Sequence, residues 1–105
     1  MKNLPMLQEE DVQLFMSNLN RQVSIQKHNI GKRQKANEIL VNQELSFHGK
    51  PIPVAIMFTE KVEDLQVSVI QIDVKADCTG EDQKFVENIC KVFADQVVRD
   101  NYPQK

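Results

Sequence analysis

Two histidines and two cysteines are the side chains of this 105-residue chain that could bind a transition metal. His28, His48, Cys78 and Cys90 are separated by 20, 30 and 12 residues. Zinc sites usually place two of their ligands within a few positions of each other, as in C-x₂₋₄-C or H-x₃₋₅-H. No pair in this chain has that spacing, so we expect no metal site and no metal cofactor.

The sequence also lacks the common motifs of catalytic nucleophiles and of phosphate-binding loops. None of the four serines lies in a G-x-S-x-G sequence, and the three glycines are isolated, so no phosphate-binding loop is predicted. His28 or His48 could serve with Glu44 as an acid–base pair, but general acid–base chemistry also needs a pocket that separates their pKa values, and no pattern marks one. We therefore expect a protein that is not an enzyme and that holds no cofactor.

The cysteines and the acidic residues near them are better explained by structure. Two cysteines are too few for a disulfide framework, which favours a reducing, cytoplasmic environment. Cys90 follows Val86 and Ile89 in a helical pattern and is predicted to lie in the core. Cys78 precedes a predicted helix, and the acidic residues around it, from Asp73 to Asp82, suit the start of a helix better than a cation site.

A cluster of basic residues is the clearest charge feature. Lys27, Lys32, Arg33 and Lys35 lie in a stretch that contains no acidic residue, within a front portion (residues 1–58) of net charge +2; residues 59–105 carry −4. This basic patch is predicted to be either a solvated loop or a contact for an acidic protein partner. It contains no aromatic residue for base stacking, and the chain is slightly acidic overall, so nucleic acid is a weaker alternative.

The periodicity of apolar residues predicts the elements that would position these groups. After an irregular lead-in over residues 1–7, an amphipathic helix begins near Gln8, with Val12, Phe15, Met16, Leu19 and Val23 on one face. Residues 22–30 alternate in part and are predicted to form an edge strand. A second helix spans Glu81–Asn101, where Thr79 and Asp82 have the spacing of a capping box.

Between the helices, an excess of Val and Ile over Leu and Ala predicts β-strands. One strand is expected over residues 36–48, with a helix over 34–45 as the competing interpretation. A second spans 50–59, with its prolines outside regular pairing, and is followed by a turn at 60–64. A third spans 66–77, with Ile70, Ile72 and Val74 facing the core, while Val67 and Val69 have the opposite parity and indicate a bulge or a second apolar face.

This order predicts one two-layer α+β domain over residues 1–105: an N-terminal helix, a three- to four-stranded antiparallel meander and a C-terminal helix. No apolar run is long enough to cross a membrane. If both helices cover one sheet face, the other face presents an apolar surface, which usually marks an interface. The residues predicted to form it are Pro53, Ala55, Met57, Val67 and Val69.

The function that follows is a small cytoplasmic protein-binding module of the adaptor, chaperone or inhibitor type, acting as a homodimer. A regulatory domain that binds a small molecule between sheet and helix is the alternative. Contact with nucleic acid through the basic loop at 32–35 is a further alternative.

Overall fold

The computed structural model describes residues 7–30, 37–64 and 66–102. Their order is helix α1 (Glu9–Ile30), strands β1 (Asn37–Phe47), β2 (Lys50–Glu63) and β3 (Gln66–Ala76), and helix α2 (Glu81–Asn101). The strands form an antiparallel sheet in the order β1-β2-β3. The predicted α+β meander between two helices is therefore confirmed, with three strands in the described sheet.

Helix α1 is longer than the sequence pattern indicated. The edge strand predicted over residues 22–30 is wrong, because these residues form the last turns of α1. Val23 extends the helical stripe from Leu19, and both side chains are fully buried, whereas Ile25 remains half exposed. The first turn of α1 is acidic, with Glu9, Glu10 and Asp11. Their negative charges interact favourably with the positive end of the helix dipole.

The strand predicted over residues 36–48 is confirmed for Asn37–Phe47, which forms the first arm of the β1–β2 hairpin. Phe47 pairs with Lys50 across a two-residue turn in which His48 and Gly49 have φ values of 55° and 76°. Positive φ at both positions is the geometry of a type I′ turn, whose twist matches that of the flanking strands. The competing helix over 34–45 is therefore wrong for its described part, residues 37–45, which is a strand.

The prolines of β2 lie within regular pairing, contrary to expectation. Pro51 pairs with Ser46 and Pro53 with Glu44 in the β1–β2 register. In an antiparallel ladder, successive residues direct their N–H and C=O groups to opposite neighbours. At both prolines the backbone faces β3 and not β1. Because β3 ends near Pro53, the missing N–H groups of the prolines remove few hydrogen bonds from the sheet. Pro53 still accepts a hydrogen bond from the Asp77 N–H at 2.8 Å.

Strand β3 contains the bulge that its change of parity suggested. Thr59 pairs with Gln71 and Glu60 with Val69, so Ile70 is the extra residue. As a result Val67 and Val69 lie on the same face as Ile72 and Val74, and all four pack against the core. Ile70, predicted to face inward, is 58% exposed.

Strand β2 also continues through the predicted turn at residues 60–64 and ends at Glu63. The inward alternation of Ile52, Val54, Ile56 and Phe58 extends to Glu60, which is fully buried. The Glu60 carboxyl accepts a hydrogen bond from the Tyr102 hydroxyl. This contact fixes the end of α2 against the central strand.

Helix α2 begins and ends where the sequence indicated. Its N-cap is Gly80, whose φ of 74° and ψ of −148° favour glycine, and no side chain caps the helix, so the Thr79–Asp82 capping box does not form. The Glu87 side chain instead accepts a hydrogen bond from the Ala76 N–H at 3.0 Å and joins α2 to β3. Val92 lies on the outer side of the helix and is 59% exposed.

Both helices pack on one face of the sheet. Helix α1 contacts β1, α2 contacts β3, and the helices contact each other. The rings of Phe15 and Phe93 lie 5.7 Å apart between the helices, and Cys90 is fully buried in the same core. Within the described residues, neither helix is long and apolar enough to cross a membrane.

Candidate functional site

The face of the sheet opposite the helices, here called the open face, is the first candidate binding surface. Its central rows follow from the register: Leu40, Met57 and Asp73 form one row, and Asn42, Ala55 and Lys75 form the next. Side chains of paired residues share a face, so these rows lie side by side across all three strands. The open face therefore has a small apolar centre between polar and charged side chains.

Three of the five predicted interface residues lie together on the open face. Pro53 is exposed, and Ala55 and Met57 are half-buried. Val67 and Val69 do not belong to this surface, because the bulge at Ile70 turns them toward the helices. The expectation that all five form one patch is therefore corrected.

Leu40 takes the place of the two valines on the open face. Its side chain is 49% exposed and lies opposite Met57 in the register. Along β1, Leu40 shares its side of the strand with the polar residues Asn42 and Glu44, and its pairing with Met57 is what places it beside another apolar side chain. The hairpin turn at residues 48–49 sets that pairing, because a two-residue turn fixes which residues face each other.

Ala55 creates a shallow depression at the centre of the open face. A cavity of about 340 Å³ lies above it, lined by residues of all three strands that include Asn42, Pro53 and Lys75. The methyl group of Ala55 is shorter than its neighbours, and the proline ring and lysine side chain form the walls. The depression could receive one apolar side chain of a partner.

A second groove follows the outer side of β1, beneath α1. It has a volume of about 420 Å³. Its lining from α1 includes Leu14, Asn18 and Gln22, and its lining from β1 includes Asn42, Glu44 and Ser46. The Gln43 side chain donates a hydrogen bond to the Phe15 carbonyl at 3.3 Å, which holds α1 over the strand. No motif marked this groove in the sequence.

The basic patch lies largely outside the described residues. Lys27 belongs to the C-terminal part of α1. Lys32, Arg33 and Lys35 fall in the segment 31–36, which is not described. The acidic-partner and nucleic-acid interpretations of this patch thus remain predictions.

Neither thiol has the environment of a nucleophile. Burial raises the pKa of Cys90 to about 12, and Glu87 adds to the effect. The pKa of Cys78 is also raised, first by desolvation and then by the charges of Asp82, Glu87 and Asp77. A raised pKa keeps a thiol protonated at neutral pH, whereas the thiolate is the reactive form.

The histidine and carboxylate candidates are also dispersed. His48 occupies the β1–β2 turn with its ring 4.5 Å from that of Phe47. In the part of the chain that the structure describes, no three His, Cys, Asp or Glu side chains are grouped as metal ligands would be. Comparison with known proteins finds no family model, no curated protein and no solved structure that matches this chain.

Proposed function

We propose that this protein is a non-catalytic protein-binding module that acts as a homodimer through its open face. One observation carries the proposal: both helices cover the same side of the sheet, and no element of the described chain forms a layer on the opposite side. Sheets in stable domains usually bury their apolar face against another layer. Leu40, Ala55 and Met57 supply apolar side chains to a face that a second copy could cover.

The size of the open face supports a second copy as its occupant. Three strands spaced about 4.8 Å apart and rising about 3.3 Å per residue form a face roughly 14 Å wide and 40 Å long. A rough surface has more accessible area than its flat outline, so such a face approaches the roughly 800 Å² per partner of a standard interface. Two sheets packed in this way lie about 10 Å apart.

The distribution of residues also suits two-fold symmetry. With a two-fold axis parallel to β2, Met57 packs on Met57 of the second copy, and the flexible thioether side chain adapts to such a contact. The same axis places β1 of one copy over β3 of the other, so Asn42 of one copy lies over Lys75 of the other. A hydrogen bond from the Lys75 ammonium to the Asn42 amide oxygen would form twice across the axis and would orient the two copies.

The test is the molar mass in solution, measured by light scattering during size-exclusion chromatography. The wild type is expected at twice the monomer mass of 12.1 kDa. Met57→Glu is expected to raise the dimer dissociation constant more than ~100-fold, because two like charges meet at the axis.

Val92→Glu is the matched control, since Val92 is 59% exposed on α2, away from the open face. This variant is expected to keep the wild-type mass. A monomeric wild type at concentrations of tens of micromolar would rule out the homodimer, and a dimer equally weakened by both variants would place the interface elsewhere.

A further inference from the structure

Strand β1 is an edge strand, and half of its backbone groups face away from β2. Phe47 and Lys50 close a two-residue turn and therefore form a hydrogen-bonded pair. Counting back from Phe47, every second residue directs its N–H and C=O toward β2. The remaining residues, which include Leu40, Asn42, Glu44 and Ser46, direct theirs outward.

Among the described residues, one helix side chain is hydrogen-bonded to the backbone of each sheet edge. At the β1 edge, the Gln26 side chain donates a hydrogen bond to the Leu40 carbonyl at 3.1 Å. At the β3 edge, the Ala76 N–H donates to Glu87. Within the described part of the chain, no hydrogen bond reaches the outward backbone groups of Asn42, Glu44 or Ser46.

The groove beneath α1 runs along these same three residues. Asn42 to Ser46 covers a length of about 13 Å in an extended strand. The groove thus combines an uncovered β edge with a wall formed by Leu14, Asn18 and Gln22. An extended polypeptide would pair with the edge through its backbone and contact the wall with alternate side chains.

A second copy of β1 does not fit this edge. Helix α1 lies over β1, so pairing two β1 strands about 4.8 Å apart would bring two α1 axes to a similar distance. Packed helices need about 8–10 Å between their axes. The groove therefore suits an extended segment that carries no helix above it.

We propose that this groove binds an extended peptide segment of another protein, added antiparallel to β1. Helix α1 runs antiparallel to β1, as the contacts Gln26–Leu40 and Phe15–Gln43 show. Asp11 and Glu44 therefore lie toward the Ser46 end of the groove, and Arg21 toward the other end. The bound peptide carries a basic residue near its N-terminal end, an acidic residue near its C-terminal end, and polar or β-branched residues between them.

Peptide binding uses the outward backbone edge of β1 and the wall formed by α1. A two-fold contact between open faces leaves both of them uncovered, so the peptide can bind whether or not the protein dimerises. The experiment selects binders of the whole protein from a phage library of random eight-residue peptides, and then measures the synthetic peptides by fluorescence anisotropy. Binders are expected to share the stated charge order.

Asn42→Pro is the decisive variant. It removes an outward N–H without removing a hydrogen bond to β2, and its ring obstructs the edge. Peptide affinity is expected to fall at least ~10-fold, which corresponds to about 1.4 kcal/mol. Asn42→Ala, which keeps the N–H, is expected to bind within about 2-fold of the wild type, and circular dichroism checks that the proline variant is folded.

N-methylation of the peptide gives an independent test that needs no protein variant. Methyl groups on alternate residues of one parity are expected to abolish binding, and those of the other parity to leave it intact, because only one set of amides faces β1. Failure to select any binder, or equal effects of both parities, would overturn the peptide site. Met57→Glu is expected to leave peptide affinity unchanged, which separates this result from that of the dimer.

Discussion

Among the described residues, Glu60 is the only charged side chain that is fully buried. It lies on the inward face of β2, in line with Ile56 and Phe58. Burying a polar group is costly unless it is hydrogen-bonded, and the Tyr102 hydroxyl donates a hydrogen bond to this carboxyl. The residue that ends α2 therefore also compensates a polar group in the core.

Removing this hydrogen bond is expected to destabilise the fold. Tyr102→Phe keeps the ring but loses the donor, so the free energy of unfolding should fall by about 1–3 kcal/mol. Urea denaturation followed by circular dichroism measures this change. Gln96→Ala is the control, because it breaks an exposed hydrogen bond to Asp100 on the same helix and should cost less than about 0.5 kcal/mol. An equal decrease in the free energy of unfolding in the two variants would show that the buried hydrogen bond contributes no more to stability than the exposed one.

At the scale of the elements, the bulge at Ile70 decides which side chains of β3 face the helices. Side chains alternate along a strand, so one extra residue moves all the side chains on one side of it to the opposite face of the sheet. Ile70 is this extra residue, and the bulge that it forms lets Val67 and Val69 face the core together with Ile72. The inserted residue therefore lets both ends of β3 contribute to one core.

Deleting Ile70 is expected to leave a folded protein, because every inward side chain of β3 keeps its facing. Deleting Asp73 instead places Ile72 next to Val74, so the two cannot both face the core. The first deletion should lower the free energy of unfolding by less than about 2 kcal/mol, and the second by about 2–5 kcal/mol or more. Thermal melts compare the two proteins. Greater damage from the Ile70 deletion would contradict this role of the bulge.

Helix α1 illustrates which elements the sequence could and could not predict. The stripe from Val12 to Leu19 was sufficient to locate the helix, because helical spacing recurred several times. The last turns of the helix were predicted wrongly, as an edge strand, because the spacing of Val23 and Ile25 also fits a short strand. Tertiary contacts resolve this ambiguity: Val23 is buried in the core, and the Gln26 side chain is hydrogen-bonded to β1.

At the scale of the whole molecule, the fold keeps the Cys90 thiol neutral, and this links global stability to pH. The pKa of Cys90 is raised from 9.0 to about 12 by burial. Between these values the unfolded chain releases a proton that the folded chain retains. Stability is therefore unaffected by this group below about pH 9 and falls as the pH rises toward 12.

The expected slope from this group is at most about 1.4 kcal/mol per pH unit. Urea denaturation of the wild type and Cys90→Ala between pH 8 and about pH 10.5 measures the difference, because other groups that titrate there are common to both proteins. The alanine variant is less stable at pH 8 but should lose stability less steeply. Parallel pH profiles would show that the buried thiol ionises as readily as it does in the unfolded chain.

The sequence by itself determined the element order and most of the core, because those depend on local periodicity. The positions of β1 and β2 and the bounds of α2 were predicted from apolar periodicity and from the residues that flank each element. The composition of the binding surfaces depended on pairing between strands, which local spacing does not encode. The hairpin register places Leu40 beside Met57 on the open face. The bulge in β3 places Val67 and Val69 on the opposite face, toward the helices.

Only the tertiary structure decided which face of the sheet the described helices cover. It placed both helices on one face, closed the core with Glu60 and Tyr102, and left a groove between α1 and the edge of β1. Each of these features joins residues far apart in the chain. The binding surfaces and the buried hydrogen bond exist only because the fold brings these distant residues together. The residue types of this small near-neutral domain indicated only that part of its surface would bind a protein partner.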